Sequence, residues 1–136
     1  MGFLIDTCIW VDVERGRIGP ADVARVTGSE DVFLSPVTIA ELQYGVGMAS
    51  DPAIRIARQR SVDLLKRKPV LRIDEETGSI FGNVASEIRK AGNSHEHRVQ
   101  DLWIAALAIQ NSCTVLTHNM KDFADIPGLS LRGLSE

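Results

Sequence analysis

Cysteine is nearly absent from this 136-residue chain, and its placement excludes two common uses. Cys8 and Cys113 lie in separate apolar runs, with no second thiol or imidazole at metal-ligand spacing, so neither a disulfide framework nor a zinc module is expected. Buried free thiols in a reducing compartment are the natural reading. Long apolar runs are missing as well. No stretch approaches the roughly 18 to 20 residues that cross a bilayer, and "MGFLIDTCIW" carries an acid where a signal peptide carries bases. A cytoplasmic protein with no membrane partner is expected. There is no excess of positive charge either: the formal net charge is −3, which argues weakly against a polyanionic partner.

What remains is an ordinary globular composition, 44% hydrophobic and 24% charged. The length suits one domain over 1–136, with no linker, repeat or low-complexity tract to divide it. Apolar runs at 2–5, 32–34, 70–73 and 114–116 are short and rich in β-branched or aromatic residues, as strands buried on both faces are. A last short strand is expected around 129–131. Between them lie segments of helical period. Residues 38–48 put Ile39, Leu42 and Val46 on one stripe, with Thr38, Glu41 and Gly45 beside it. Segment 52–66 is amphipathic, 74–92 opens with acids and closes at Gly92, and 99–111 repeats alanine at 105, 106 and 108. Strands alternating with helices predict an α/β fold with a parallel sheet covered on both faces.

Five polar residues stand where such a fold makes them conspicuous. Asp6 ends the first apolar run, and the carboxyl ends of parallel strands are where α/β proteins bind ligands. Glu41 interrupts an otherwise apolar helix face. Asp101 stands in the first turn of a helix, and Asn119 and Asp122 follow the fourth strand in "THNMKDF". Each has an ordinary alternative: Asp6 as a helix cap, Asp101 as a partner of the helix dipole, Asn119 and Asp122 as turn residues. Taken together they bring oxygen ligands to one sheet edge. Carboxylates so gathered repel one another and either take up protons or bind a cation. Oxygen ligands without histidine or cysteine suit Mg²⁺, with Mn²⁺ able to substitute. His95 and His97, in the polar loop 90–100, read as solvent-facing rather than as ligands.

In order and spacing, "LIDTCIW", "TIAELQYG", "QDLWIAALA" and "LTHNMKDF" resemble the acidic motifs of PIN-domain ribonucleases, most closely the VapC-type toxins of bacterial toxin–antitoxin pairs. The resemblance covers nearly the whole chain. It implies a three-layer α/β/α sandwich with a central parallel sheet of about five strands, a homodimer, and Mg²⁺-dependent endonucleolytic cleavage of RNA, restrained by a cognate VapB-like antitoxin. By the same resemblance, Asp6 and Asp101 match the metal-binding acids and Glu41 the second acid of the quartet. Thr7 and Thr117 match hydroxyl residues that support the site. Asn119 stands where many members have Asp, and Asp122 matches the acid of an N-x-x-D-F variant, which leaves open whether one or two metals bind.

Other acidic α/β classes fit less well. A phosphoacceptor receiver needs paired acids after its first strand and an acid after a central one, which "LIDTC" and "VFLSP" do not supply. A haloacid-dehalogenase-like phosphatase needs a second Asp at position 8, which is Cys8. A PIN-fold binding module without nuclease activity and a housekeeping PIN nuclease stay open as alternatives. The bases Arg55, Arg58, Arg60, Lys66, Arg67 and Lys68 form a cluster that is either a solvated helix face or a track for RNA phosphates.

Overall fold

Residues 2–135 are described by the computed structural model. Four short apolar runs form parallel strands, β1 (Gly2–Ile5), β2 (Asp31–Phe33), β3 (Cys113–Leu116) and β4 (Ser130–Arg132). Among the described residues they make one sheet in the order β2-β1-β3-β4. Leu4 pairs in register with Val115, and Ile5 with Leu116. The helices are α1 (Thr7–Glu14), α2 (Pro20–Thr27), α3 (Pro36–Met48), α4 (Pro52–Leu65), α5 (Glu75–Lys90) and α6 (Val99–Gln110). Single 3-10 turns cover Glu96–Arg98 and Met120–Asp122.

Alternation along the strands splits the core into two layers. Leu4, Cys113 and Val115 face one side and pack with Val84, Ile88, Leu102 and Leu107 of α5 and α6. Phe3, Ile5 and Leu116 face the other and pack with Ile9, Trp10, Val23 and Val26 of α1 and α2. Helices therefore cover both faces, as a sheet of doubly buried strands requires. The alanines at 105, 106 and 108 are fully buried and let α6 lie close to the sheet. No helix among the described residues is long and apolar enough to cross a membrane.

Local chemistry starts the helices where the chain must turn. Ser35 Oγ accepts from the Thr38 amide (3.0 Å) ahead of Pro36, and Asp51 from the Ala53 amide (2.8 Å) ahead of Pro52. Asp74 accepts from the amides of Glu76 and Thr77. Helix α2 is not evident from periodicity, being only eight residues long. It begins with Pro20, and the Gly19 amide donates to Asp22 Oδ2 (2.8 Å).

The expected strand at 70–73 shrinks to a single parallel bridge between Leu34 and Val70. Val70 and Ile73 are exposed, so this edge lacks the two-sided burial that would extend the pairing. The basic cluster also differs from a free phosphate track. Arg55 donates to the Ala49 carbonyl through Nε (3.1 Å) and Nη2 (2.8 Å), and Arg58 Nη1 donates to the Gly45 carbonyl (2.9 Å). Both arginines satisfy carbonyls left open at the end of α3 and latch α4 to it.

Leu4 lies on the central strand and is fully buried. Leu4→Ala should cost about 2–5 kcal/mol in a urea titration; a loss below about 1 kcal/mol would contradict the packing described.

Candidate active site

The chain runs from β1 to β2 on one side and returns to β3 on the other, so the sheet order reverses between β1 and β3. In open α/β sheets this crevice, beyond the carboxyl ends of the strands, is the place where ligands bind. Asp6 and Thr117 are the first residues past those two strands. The Asp6 amide donates to the Leu116 carbonyl (2.9 Å), and the Thr117 amide to Arg132 (3.0 Å), which carries the ladder one step beyond the strands.

Asp6 is only 4% exposed. A carboxylate so buried is costly unless its oxygens are bonded. Oδ1 accepts from the Thr7 amide (2.8 Å), and Oδ2 from the Thr117 hydroxyl (2.7 Å). Thr117 Oγ1 in turn accepts from the Asn119 amide (2.9 Å), which fixes the loop after β3. Asp6 is thus both N-cap of α1 and an oxygen donor at the crevice.

Glu41 reaches the crevice from α3. The Thr7 hydroxyl lies 2.8 Å from Glu41 Oε1 and 3.0 Å from Thr38 Oγ1, which is 3.2 Å from Ser35 Oγ. A carboxylate only accepts, so the Thr7 hydroxyl donates to Glu41. Ser35 and Thr38 are fully buried, and the hydroxyl row fixes one carboxylate oxygen of Glu41. Partial desolvation raises the proton affinity of Glu41, the Asp6 charge adds to it, and the Thr7 bond opposes it.

Asp101 enters from the first turn of α6. Desolvation, followed by repulsion from Asp6, Asp122 and Glu41, lifts its pKa from 3.8 to about 6, with Arg98 acting the other way. Asp6, Glu41, Asp101 and Asn119 all line one open cleft of about 320 Å³, together with Thr7, Cys8, Val11, Asp12 and Arg17. Asp122 is not among these lining residues. It ends the second 3-10 turn, acts on Asp101 through its charge, and gives its main-chain carbonyl to Arg98 Nη1 (2.9 Å). Arg98 also holds Asp125 through two bonds (2.7 and 2.6 Å), fastening the loop after β3 to the start of α6.

Sequence reasoning missed Cys8, Asp12 and Arg17 as cleft residues. Cys8 Sγ lies 3.5 Å from Asp6 Oδ2 and 3.6 Å from Thr117 Oγ1. Burial and the Asp6 charge push its thiol up to about 11, so it stays protonated and is a poor metal ligand. Cys8 and Asp12 lie four residues apart on α1 and so share one face of it, which was the available signal for that pair. His97 is exposed, as expected, and His95 is half-buried beside it.

The donor set can be tested against a metal on its own chemistry. Among the described residues no three His, Cys, Asp or Glu side chains are gathered tightly enough to enclose an ion by themselves. That excludes a closed zinc-type cage. An open cleft with carboxylates on separate walls, raised proton affinity and neutral amide oxygen nearby suits a hard cation that keeps several waters and is held by one or two carboxylates. Asp6 and Asp101 are the residues that would hold it.

Fold and cleft together define an α/β protein with its acids assembled at the sheet's reversal point. The PIN domain family model matches residues 3–129, and the chain belongs to that family. It is 31% identical over 128 residues to Ribonuclease VapC4 of Mycobacterium tuberculosis, covering 94% of this chain and 93% of that protein. To Ribonuclease VapC1 of Rickettsia felis it is 27% identical over 136 residues, covering 99% and 98%. Its fold is similar to a chain in the structure of VapBC2 from Rickettsia felis bound to a promoter DNA fragment, with TM-score 0.84, 25% identity and 98% of each chain covered. A chain of VapBC-1 from nontypeable Haemophilus influenzae aligns with TM-score 0.81, 28% identity and full coverage of both.

The raised Asp101 pKa carries a stability consequence. Between pH 3.8 and about 6 the native state binds more protons at Asp101 than the unfolded chain does, so stability falls as pH rises through that window. In EDTA at pH 7, Asp101→Asn should exceed the wild type in stability by on the order of 1 kcal/mol after discounting for solvent screening. The gap should close toward pH 4. Urea titrations at both pH values check this; a wild type at least as stable as the variant at pH 7 would contradict the repulsion.

Proposed function

We propose that this chain is a Mg²⁺-dependent endoribonuclease, with Mn²⁺ able to substitute, acting as the toxin of a cytoplasmic toxin–antitoxin pair. The observation that carries the reading is the convergence of Asp6, Glu41, Asp101 and Asn119 on one cleft at the reversal point of the sheet. Family membership and the likeness to VapC ribonucleases along nearly the whole chain support it.

When bound, the divalent cation would place charge on a phosphoryl oxygen and lower the pKa of a coordinated water. Asp6 holds its carboxylate rigid, since one oxygen is fixed by its own helix and the other by Thr117. Asp101 carries no hydrogen bond to its side chain among the described residues and presents its oxygens to the cleft. Glu41 Oε1 is occupied by Thr7, which leaves Oε2 to orient the attacking water and take its proton. Its raised proton affinity makes it a better proton acceptor than an ordinary exposed carboxylate. Asn119 contributes a neutral group, and Asp122 adds negative charge that acts on Asp101.

The restraining partner in this reading is a VapB-like antitoxin, since relatives of this chain occur in VapBC complexes. An arginine or lysine from such a partner could occupy the acid cleft by a charge-assisted pair. Tyr44, Met48, Ile54, Ile56 and Leu64 are exposed on α3 and α4 and offer apolar area for the rest of the contact. A second copy of this chain could use part of the same surface as a homodimer.

Purified protein should cut single-stranded RNA with Mg²⁺ or Mn²⁺ and lose activity in EDTA. Asp101→Asn should lower the rate at least about 100-fold while staying folded, and co-purified neighbouring antitoxin should suppress the wild-type rate. A folded Asp101→Asn protein cleaving at the wild-type rate would overturn the reading.

A further inference from the structure

An acid cleft must still draw in a polyanion, and three arginines are already engaged elsewhere. Arg55 and Arg58 cap α3, and Arg98 is taken by Asp125 and the Asp122 carbonyl. Among the described residues lining the cleft, one cation remains, Arg17.

Its placement is built. Helix α1 ends at Glu14, and Gly16 takes a positive φ of 75°, which turns the chain back on the helix. The amides of Arg17 (2.9 Å) and Ile18 (3.4 Å) donate to the Asp12 carbonyl. The Asp12 carboxylate then accepts from Arg17 Nη1 (3.0 Å) on one oxygen, while His118 Nε2 lies 3.1 Å from the other. Asp12 therefore joins the turn after α1 to the loop that carries Thr117 and Asn119. An exposed ion pair of this kind adds little to stability. It does fix a guanidinium at the cleft mouth, with 61% of the side chain open to solvent and, among the described residues, one guanidinium nitrogen engaged. Arginine's planar fork matches phosphate geometry, and a fixed fork loses less entropy on binding.

We propose that Arg17, anchored by Asp12, binds a backbone phosphate of the RNA strand adjacent to the one being cut, and so sets the strand's register in the cleft. This rests on the ribonuclease reading above. Asp12 and His118 are positioning residues in this arrangement.

The test uses the non-cleaving Asp101→Asn chain and a fluorescent single-stranded RNA, with affinity measured across a salt series in Mg²⁺. Adding Arg17→Ala should weaken binding about 3- to 10-fold near 0.1 M salt and reduce the slope of log affinity against log salt by about 0.7, the value for one single-strand phosphate contact. Arg17→Lys should keep the slope while losing part of the affinity. Arg60→Ala, an exposed arginine on α4, should leave the slope unchanged. An unchanged slope in Arg17→Ala, or an equal drop in Arg60→Ala, would overturn the role of Arg17 and leave the ribonuclease reading standing. Failure of the Asp101→Asn chain to bind RNA even at low salt would overturn both.

Discussion

The site depends on one carboxylate held at the end of the central strand with almost no water around it. Asp6 is tolerable there because both of its oxygens are bonded, one to the Thr7 amide and one to the Thr117 hydroxyl. The second bond exists only if β3 lies beside β1, so the long excursion through α3 to α6 must close on that register. That closure delivers the first turn of α6, and hence Asp101, to the same edge. Hydrophobic burial on both sheet faces supplies the stability, and the Asp6 bonds fix which groups meet at the crevice.

With Asp6 fixed, the other acids act as a reservoir of unfavourable charge. Glu41 and Asp101 both have raised proton affinity, and Asp101 feels three other acids. A fold selected only for stability would lower this cost with a neutral residue at 101. Retaining the charge is the usual exchange of stability for function at an active site. The few cations nearby are disposed to leave the cleft itself negative: Arg98 is fastened to Asp125, and Arg17 stands at the mouth rather than the floor.

Much of this was legible in the sequence because it rests on local pattern. Short β-branched runs marked three of the four strands closely, and the fourth, expected at 129–131, lies at Ser130–Arg132. The conspicuous positions of Asp6, Glu41 and Asp101 could be read because an acid in an apolar run or helix face has few ordinary uses. What could not be read depends on tertiary geometry. Helix α2 is short and its periodicity covers barely two turns. The 70–73 run is apolar enough for a strand, but its exposure at the sheet edge, seen only in three dimensions, reduces it to one bridge. The arginines of α4 look like a free basic face until the ends of α3 and α4 are placed together. Arg17 gained meaning only once the Gly16 turn placed it beside Asp12 of α1 at the cleft.

The claim that a cation relieves the repulsion at Asp101 can be measured through protons. Mn²⁺ binding followed by calorimetry in buffers of different ionisation enthalpy reports how many protons leave when the metal enters. With Asp101 titrating at about 6, binding at pH 6 should release about half a proton or more, and at pH 8 almost none. Mn²⁺ binding at pH 6 with no proton release, or release unchanged in Asp101→Asn, would contradict the account.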